Sequence, residues 1–394
     1  MLRPIIRIAA ISVTLSMAVM IITLGVLIGF KQQISEKVSG FLAHIQIVNF
    51  DGNSSYETTP ISSNQNFLPQ LEAIDGIKHI QTYALKPGII TTGTDIQGVV
   101  LKGVDADFDW SFFDDNMVEG KHFTVSDSAS SNEVCISKKL SLLLQLKLED
   151  RFDMYFIQDP PRVRRFSVSG IYDTQFSEFD LLYVFCDIKQ TQRLNNWNRD
   201  QVTGFEIYVN DFGRLDSVYE QVRDVAGYKL LPNGSRLLVD NVKGRFVQIF
   251  DWLELQDLNA WVILTLMLIV AGFNMISGLL IILLERAGLI GLLKALGMTN
   301  LSLQKIFIYQ STFIAGKGLL WGNIFGIGLC LIQKYFGIVS LNPDTYYLSQ
   351  VPIEMNYSFI ILLNVGAITA IVAMLVLPSM MVARINPSKT LRFD

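Results

Sequence analysis

The chain has 394 residues, of which 50% are hydrophobic and 17% are charged, with a formal net charge of −4. Soluble domains carry about 25% charged residues. The missing charges leave long uncharged runs: residues 8–30, 258–284 and 355–383 lack Asp, Glu, Lys and Arg, and 306–333 contains only Lys317. This pattern excludes a wholly soluble protein, a disordered chain and an outer-membrane barrel, whose strands would alternate over about 10 residues.

The first uncharged run, residues 8–30, predicts a membrane-spanning helix. Its 23 residues reach roughly 34 Å at about 1.5 Å per residue, enough to cross a hydrocarbon core of about 30 Å. The alternative is a cleaved signal peptide, but a signal core has about 7–15 residues and ends at a small-x-small site. Phe30, Lys31 and Gln32 follow the run instead. We therefore predict an N-terminal transmembrane helix over residues 1–30.

Residues 31–257 predict a folded domain of mixed structure. Alternating segments at 165–171 and 205–209 are typical of strands, and amphipathic segments at 137–148 and 215–225 are typical of helices. The domain carries 22 basic and 32 acidic residues, a net charge of −10. Nucleic-acid phosphates need a basic surface, so we expect no nucleic-acid partner. The sequence predicts an inserted α+β domain of about 200 residues.

The three later uncharged runs predict three more spans, which gives four transmembrane helices, one before and three after the inserted domain. Lys and Arg near span ends stay in the cytoplasm. Segments 1–7, 285–305 and 384–394 together hold eight basic and two acidic residues, whereas loop 334–354 holds one basic and two acidic residues. This asymmetry predicts a cytoplasmic N-terminus and an extracytoplasmic location for 31–257.

No catalytic, cofactor-binding or metal-binding motif stands out. The Gly-Lys pairs at 120–121 and 316–317 are not followed by Ser or Thr and lack the upstream glycine of a phosphate-binding loop, so we expect no ATP binding by this chain. The three histidines are scattered without the paired spacing of a zinc site. Cys135 and Cys186 either form a disulfide in an oxidising compartment or stay buried as free thiols.

Residues 285–297, between the second and third spans, predict a short amphipathic helix at the cytoplasmic surface. Leu289, Ile290, Leu293 and Leu296 share one helical face. Gly297 suits the position just after the helix, and Thr299 suits the N-cap of the next helix. Such a helix either lies on lipid or docks its apolar face in a groove of a partner protein, and the periodicity alone leaves both alternatives open.

The same segment, Glu285-Arg286 with Ile290-Gly291-Leu292-Leu293-Lys294-Ala295-Leu296-Gly297, resembles the FtsX/MacB-type ABC transporter permease family, as does the ending over 377–394. Within that family the chain is most similar to the lipoprotein-releasing LolC/LolE branch. The stretches that carry this similarity are RIA at 7–9, GFK at 29–31, GFLAHIQI at 40–47, VLKGVD at 100–105, AGFNMIS at 271–277 and YYL at 346–348. The resemblance covers nearly the whole chain in order.

The resemblance implies a membrane subunit without catalytic activity of its own. Such permeases work as dimers, here a homodimer or a pair with a paralogue, and each recruits a separate ATPase that binds ATP and Mg. Motion of the ATPases is relayed to the outer domain (mechanotransmission), and a lipoprotein passes from the inner membrane to a periplasmic carrier. The implied location is the bacterial inner membrane, with a MacB-like periplasmic core domain over 31–257 and an FtsX-like permease domain over 258–394. Alternatives are a MacB-like efflux permease and an FtsX-like regulator of a periplasmic cell-wall hydrolase.

The resemblance also implies which residues contact the ATPase, and it favours partner docking over lipid for the helix at 285–297. The expected contact residues are Glu285, Arg286, Leu289, Ile290, Leu293, Lys294, Leu296 and Gly297. Relatives often carry an acidic residue where this chain has Leu289, so we expect a more apolar contact here. On the same basis, Leu293→Asp should abolish ATPase association while the protein still inserts into the membrane.

Three further sets of residues are candidates for packing and cargo handling. Gly318, Gly322 and Gly326 form a small-residue face for close helix packing, either within one chain or between two permease subunits. Met17 and Met20 either line a cargo cavity or face lipid, and Asn274 is expected to face protein or cargo because an unpaired amide in lipid is costly. The exposed turn with Asp159, Pro160, Pro161 and Arg162 is either a carrier-contact hook or a plain hairpin.

Overall fold

The computed structural model describes residues 2–50, 56–93, 95–126, 129–227 and 236–384. Residues 385–394, which are part of the ending that resembles the permease family, therefore lie outside the described residues. The chain forms two compact units. The β-rich unit contains Gln33–Phe250 and Leu341–Ser349, and the helical unit contains Met1–Gln32, Asp251–Ser340 and Gln350–Asp394.

The secondary structure consists of long helices at both ends of the sequence and short mixed elements between them. The helices are α1 (Leu2–Leu42), α2 (Leu68–Glu72), α3 (Ser111–Asp115), α4 (Lys138–Leu144), α5 (Ser177–Asp180), α6 (Ile188–Leu194), α7 (Leu215–Ala226), α8 (Val242–Arg245), α9 (Val247–Glu285), α10 (Ala287–Ala295), α11 (Asn300–Phe336), α12 (Pro343–Tyr346), α13 (Tyr357–Ser379) and α14 (Met381–Arg384). The strands are β1 (Ile45–Asn49), β2 (Ile61–Ser62), β3 (Ile77–Thr92), β4 (Asp95–Val104), β5 (Met117–Gly120), β6 (Glu133–Ser137), β7 (Arg151–Phe156), β8 (Arg162–Tyr172), β9 (Tyr183–Asp187), β10 (Gln201–Val202), β11 (Gly204–Val209) and β12 (Leu237–Asn241).

Four helices in the described part of the chain are long and apolar enough to cross a membrane: α1, α9, α11 and α13. Helices α1, α9 and α11 contain the runs 8–30, 258–284 and 306–333, and α13 lies within the run 355–383. Their mutual packing buries a core that includes Met17, Met275, Ile314 and Ile371, while many other apolar side chains stay on the surface of the unit.

The β-rich unit is built on one ten-stranded sheet. Strands β3, β4, β9, β6, β8 and β7 pair in turn, and β7 pairs back to β3, so six strands close into a ring. Inside the ring lies an apolar core whose members include Ile90, Leu101, Val134, Met154 and Phe166, each at most 3% exposed. Full closure leaves no unpaired sheet edge in the ring, which stabilises it against edge pairing.

The long strand β3 joins this ring to a second layer of strands. Its first half pairs with β11, which continues through β1 to β12. Helix α7 buries Leu215, Val218, Val222 and Ala226 on one face, as its amphipathic sequence predicts. The helix predicted at 137–148 is shorter, because Gln145 adopts a left-handed conformation (φ 54°) and ends α4 at Leu144.

The segment Leu341–Ser349, which precedes α13, packs within the β-rich unit. The Tyr347 ring lies 4.7 Å from that of Phe176, and the Tyr347 carbonyl accepts a 3.0 Å hydrogen bond from Lys37 Nζ. Leu348 is buried. The sequence predicted only an outer loop here, because these contacts join residues that are far apart in the chain.

Cys135 and Cys186 are free thiols, which resolves the alternative that the sequence left open. They lie on the paired strands β6 and β9, where Val134 is opposite Cys186 and Cys135 is opposite Phe185. Neighbouring residues of a strand point to opposite faces of a sheet. The two sulfur atoms therefore lie on opposite faces and do not meet. Burial raises the pKa of the Cys135 thiol to about 12.

Candidate functional site

Helix α10 lies between two long helices and ends in a defined cap. Gly297 has φ of +90°, its N–H donates to the Lys294 carbonyl at 3.0 Å, and the Met298 N–H donates to the Leu293 carbonyl at 3.0 Å. This is the Schellman arrangement that favours glycine. Thr299 then caps α11 by accepting from the Ser302 N–H at 3.3 Å. Both predicted capping positions, Gly297 and Thr299, are confirmed.

The apolar residues of α10 fall on two faces. Ile290 is fully buried, and half-buried Leu293 packs against the same core of the helical unit. Leu289, Leu292 and Leu296 are exposed, at 46%, 48% and 77%. The sequence grouped Ile290 and Leu293 with the exposed leucines and left out Leu292, because a helical wheel does not show where the protein core lies.

Charged residues flank the exposed leucines. Glu285 and Arg286 are exposed where α9 passes into α10. Lys294 instead turns toward the protein, where its Nζ donates to the Val382 carbonyl of α14 at 2.7 Å. We name Leu289, Leu292 and Leu296 the exposed α10 face. It is an apolar strip with Glu285 and Arg286 at its N-terminal end, of a kind that fits a groove in a partner protein.

The three glycines of α11 lie against α1 of the same chain. A Cβ atom added at Gly318 would come within 2.8 Å of Val13 Cβ, and one added at Gly322 would come within 2.5 Å of Met17 Cβ. At Gly326 the nearest atom would be Ala18 Cα at 3.1 Å. Of the two alternatives for this stripe, the structure therefore places the glycines in contacts within one chain.

The candidate cargo residues separate into buried and exposed groups. Met17 and Met20 are buried in the core of the helical unit. Asn274, in contrast, is exposed on α9, and its Nδ2 donates to the Ser12 hydroxyl of α1. Exposed apolar side chains lie within four positions of Ser12 on α1 and of Asn274 on α9: Ile8, Ile11, Leu15, Val270 and Phe273. We name this set, together with Ser12 and Asn274, the α1–α9 surface.

The predicted turn at 159–162 connects β7 to β8 as a short hairpin. Phe156 is opposite Arg162 in the register, and Asp159, Pro160 and Pro161 are exposed in the turn, with a cis Asp159–Pro160 bond. The Arg162 guanidinium donates to the Arg193 carbonyl at 2.6 Å and to Asn196 Oδ1 at 2.5 Å. This tethers the turn to the end of α6.

The outer face of this hairpin also exposes apolar side chains that the sequence did not single out. Tyr155, Ile157 and Val163 are all exposed, and Tyr155 and Val163 are directly opposite each other in the register. Neighbouring exposed apolar residues of this kind mark interaction surfaces more often than isolated ones do. The alternation along β7 places Tyr155 on the face opposite the buried Met154 and Phe156, and Val163 shares the face of Tyr155 because the two residues are directly opposite.

Burial strongly shifts the pKa values of His44 and Asp180 in the β-rich unit. Burial, with a smaller effect of Lys78, lowers the pKa of His44 to about 4, and its Nδ1 accepts from the Val209 N–H at 3.3 Å. Burial raises the pKa of Asp180 to about 7. Asp180 Oδ1 accepts from the Thr174 hydroxyl at 2.7 Å, whereas Oδ2 has no hydrogen-bond partner. Among the described residues, no three His, Cys, Asp or Glu side chains cluster as metal ligands.

Comparisons with known proteins cover nearly the whole chain. Residues 8–225 match the MacB-like periplasmic core domain family, and residues 261–387 match the FtsX-like permease C-terminal family. The lipoprotein-releasing system transmembrane protein LolC of Xylella fastidiosa is 22% identical over 401 residues, 97% of this chain and 92% of the relative. LolE of Haemophilus influenzae is 23% identical over 408 residues, 98% of this chain and 93% of the relative.

Among solved structures, the periplasmic region of MacB from Actinobacillus actinomycetemcomitans aligns with a TM-score of 0.35 and 13% identity. The alignment covers 54% of this chain and 95% of that one. The extracellular domain of the transporter YknZ aligns with a TM-score of 0.32 and 14% identity, over 49% of this chain and 98% of that one. Both scores are too low to define the fold.

Proposed function

The chain belongs to the family of FtsX-like permeases with a MacB-like periplasmic core domain, and on that premise we propose that it is the permease subunit of an ABC transporter that releases lipoproteins from the inner membrane. The resemblance stated from residues 40–47, 271–277 and 285–297 is confirmed by this family membership. The lipoprotein substrate is supported by collinear similarity to LolC and LolE over 97% and 98% of the chain.

The observation that carries the transport mechanism is the exposed α10 face. The sequence contains no phosphate-binding-loop motif, yet extraction of a triacylated protein needs energy. Each buried CH₂ contributes about 0.8 kcal/mol, so three acyl chains amount to tens of kcal/mol. Leu289, Leu292 and Leu296 offer an apolar strip to a separate ATPase, which would bind ATP and Mg.

The proposed topology follows from the charges. Eight basic residues against two acidic ones flank the spans on one side, and the β-rich unit on the other side is acidic. In this arrangement α10 faces the cytoplasm, and residues 31–257 face the periplasm between one span before and three spans after them. A second permease subunit, either a copy or a paralogue, would complete the dimer.

The α1–α9 surface is the proposed contact for cargo or for the second subunit. It is apolar, as lipid and acyl chains are, and it carries one polar pair, Ser12 and Asn274, at membrane depth. Polar groups inside a membrane are costly and are found mostly where they meet protein or substrate. Met17 and Met20 are buried in the chain's own core, so Asn274 is the better candidate for cargo contact.

The outer face of the β7–β8 hairpin is the proposed contact for the periplasmic carrier. Tyr155, Ile157 and Val163 supply apolar area, and Asp159, Pro160, Pro161 and Arg162 form the turn beside it. Because Arg162 holds this turn to α6, the surface is preorganised, and little conformational entropy is lost when a partner binds.

The test is reconstitution with the ATPase and the second permease subunit in liposomes that contain a labelled triacylated lipoprotein. Addition of ATP and carrier should move the lipoprotein into the soluble fraction, and an ATPase that cannot hydrolyse ATP should abolish this release. Stimulated cleavage of cell-wall material without lipoprotein release would favour an FtsX-like regulator. Export of a small amphiphile without lipoprotein release would favour a MacB-like efflux permease.

A further inference from the structure

The C-terminal turn of α1 is enclosed by the β-rich unit. Phe41 is fully buried, and six aromatic rings have centroids within 6.4 Å of its own: Phe112, Phe113, Tyr172, Phe179, Tyr183 and Phe185. At Gly40 an added Cβ would come within 2.5 Å of the Phe112 ring, so only glycine lets the helix approach this closely. We name Gly40, Phe41 and these six rings the α1 socket.

The last backbone carbonyls of α1 also have partners in the β-rich unit. The Phe41 carbonyl accepts a 2.8 Å hydrogen bond from Lys102 Nζ. The Leu42 carbonyl accepts from Gln46 Nε2 at 3.0 Å and from Arg245 Nη2 at 3.1 Å. Last-turn carbonyls have no partner within the helix and carry the negative end of its dipole, so two cations and an amide stabilise them here.

Lys102 connects this helix end to both parts of the sheet. It lies on β4, in the closed ring, and its Nζ is 2.7 Å from Oε1 of Glu206 on β11, in the second layer. Lys102 is 1% exposed and Glu206 is 0% exposed. Glu206 also accepts from Gln81 Nε2 of β3 at 2.9 Å. One buried cation therefore joins α1, β4 and β11.

Stability alone does not account for this arrangement. A buried ion pair contributes little net stability, because the cost of desolvating both charges offsets their attraction. Its hydrogen bonds are directional, however, and they fix the orientation of the groups that they join. Helix α1 is continuous from Leu2 to Leu42, so the socket holds the C-terminal end of the same helix that contains a candidate membrane span.

We propose that the α1 socket and the Lys102–Glu206 pair form a rigid joint that converts displacement of α1 into movement of the β-rich unit, so that Lys102 and Glu206 are positioning residues for lipoprotein release. This inference rests on the proposed function, and it names the residues that would transmit the motion of α1 to the sheet. ATP hydrolysis without this joint would still move the helices, but the movement would not reach the sheet.

The main test compares two buried lysines of the same sheet in the complete complex. Lys102→Met with Glu206→Met removes both charges, so neither is left buried without a partner. Lys86→Met is the matched control, because Lys86 lies on the adjacent strand β3 and is 8% exposed, and its Nζ pairs with Glu57 at 2.9 Å. Each variant is assayed in liposomes of phosphatidylethanolamine and phosphatidylglycerol that contain a fluorescent triacylated lipopeptide, with ATP and carrier.

The expected result is a separation of ATP hydrolysis from release. The double variant should hydrolyse ATP within twofold of the wild-type rate and release at least tenfold less lipopeptide per ATP, whereas Lys86→Met should change neither by more than twofold. Wild-type release per ATP by the double variant would overturn the joint, as would an equal loss of release by Lys86→Met or an equal fall of hydrolysis and release. If the wild-type complex releases no lipopeptide at all, the proposed function itself fails.

A second pair of variants leaves the socket intact. Three glycines inserted after Gln32 interrupt helix α1 at the position where the two units divide in the sequence. Three glycines inserted after Gly93 lengthen the connection between β3 and β4, where a Cβ added at Gly93 meets nothing within 4 Å. The insertion after Gln32 should reduce release per ATP at least tenfold, and the insertion after Gly93 should not. Wild-type release after the Gln32 insertion would overturn the joint even if the double variant failed to fold.

Discussion

The two units of this chain distribute their apolar side chains in opposite ways. In the β-rich unit the ring core is closed, and members such as Leu101 and Phe166 are at most 1% exposed. In the helical unit even large side chains such as Trp261 and Tyr309 are 69% and 79% exposed. Water drives apolar groups inward in the first unit, whereas lipid is as apolar as a protein core and gives no such drive between helices.

This difference determines where a single substitution can act. In the β-rich unit the sensitive positions are polar groups inside the closed core, where water cannot compensate for a missing partner. In the helical unit the sensitive positions are small residues at which two backbones approach, because close packing holds membrane helices together.

The largest effect is expected at Asp180 in the β-rich unit. Burial raises its pKa to about 7, so the folded state binds a proton that the unfolded state releases near pH 4. This stabilisation is complete below pH 4 and is lost as the pH rises through 7. Asp180→Asn should therefore gain about 4 kcal/mol relative to wild type between pH 4 and pH 8. Hydrogen exchange of the β9 amides in the full-length protein, corrected for intrinsic rates, measures this difference.

His44 provides a control, because we expect its effect on stability to depend on pH in the opposite direction from that of Asp180. Burial lowers its pKa to about 4, so the unfolded state binds the proton first, and the contribution of His44 to stability is lost as the pH falls from 6.5 to 4. His44→Gln should therefore gain stability relative to wild type at pH 4 and not at pH 8. The same pH dependence for both variants would show that neither group titrates as its burial requires.

The next largest effect on stability is expected at Gly322 in the helical unit. Gly322→Val would place a Cβ within 2.5 Å of Met17 Cβ, which forces α11 away from α1. Overpacking of this kind costs about 2–3 kcal/mol. The matched control on the same helix is Gly328→Val, because an added Cβ there meets nothing within 4 Å. Thermal denaturation of both variants in the same detergent gives the comparison, and equal midpoints would contradict the packing role of the glycine stripe.

Two neighbouring leucines of helix α10 allow ATPase binding and protein stability to be tested separately. Leu292→Asp changes an exposed residue and should weaken binding of the ATPase at least tenfold, about 1.4 kcal/mol, without lowering the melting temperature of the chain. Leu293→Asp changes a residue packed on the helical core, so it should lower the melting temperature as well. Co-purification of the ATPase, together with melting curves of the permease alone, distinguishes the two. Full ATPase binding by Leu292→Asp would exclude the exposed α10 face as the docking surface.

Local patterns in the sequence were sufficient for some of these features. Uncharged runs long enough to span a membrane predicted helices that the structure contains at α1, α9, α11 and α13, and the chemistry of Gly297 and Thr299 predicted the end of α10 and the start of α11. These signals lie within a few residues of one another, so they need no knowledge of the tertiary fold.

Features that depend on distant contacts were not predictable. The inward position of Ile290 depends on where the other helices lie, and the pairing of β3 with β7, which closes the ring, joins residues more than 60 positions apart. The same holds for Tyr347 on Phe176, and for Cys135 and Cys186, whose separation depends on strand register. The cargo, carrier and ATPase roles of the candidate residues stay predictions for the experiments above.

The smallest effect on stability is expected at Asn274, where the consequence for function should be larger. Hydrogen bonds between membrane helices contribute about 0.6 kcal/mol on average, so Asn274→Leu, which loses the bond to Ser12, should barely change the melting temperature. The matched control is Thr265→Val on the same helix, because the Thr265 hydroxyl donates to the Trp261 carbonyl of its own helix. If the α1–α9 surface contacts cargo, Asn274→Leu should lower lipoprotein release several-fold and Thr265→Val should not. Equal release by the two variants would remove Asn274 from the cargo path and leave it as an ordinary interhelical hydrogen bond.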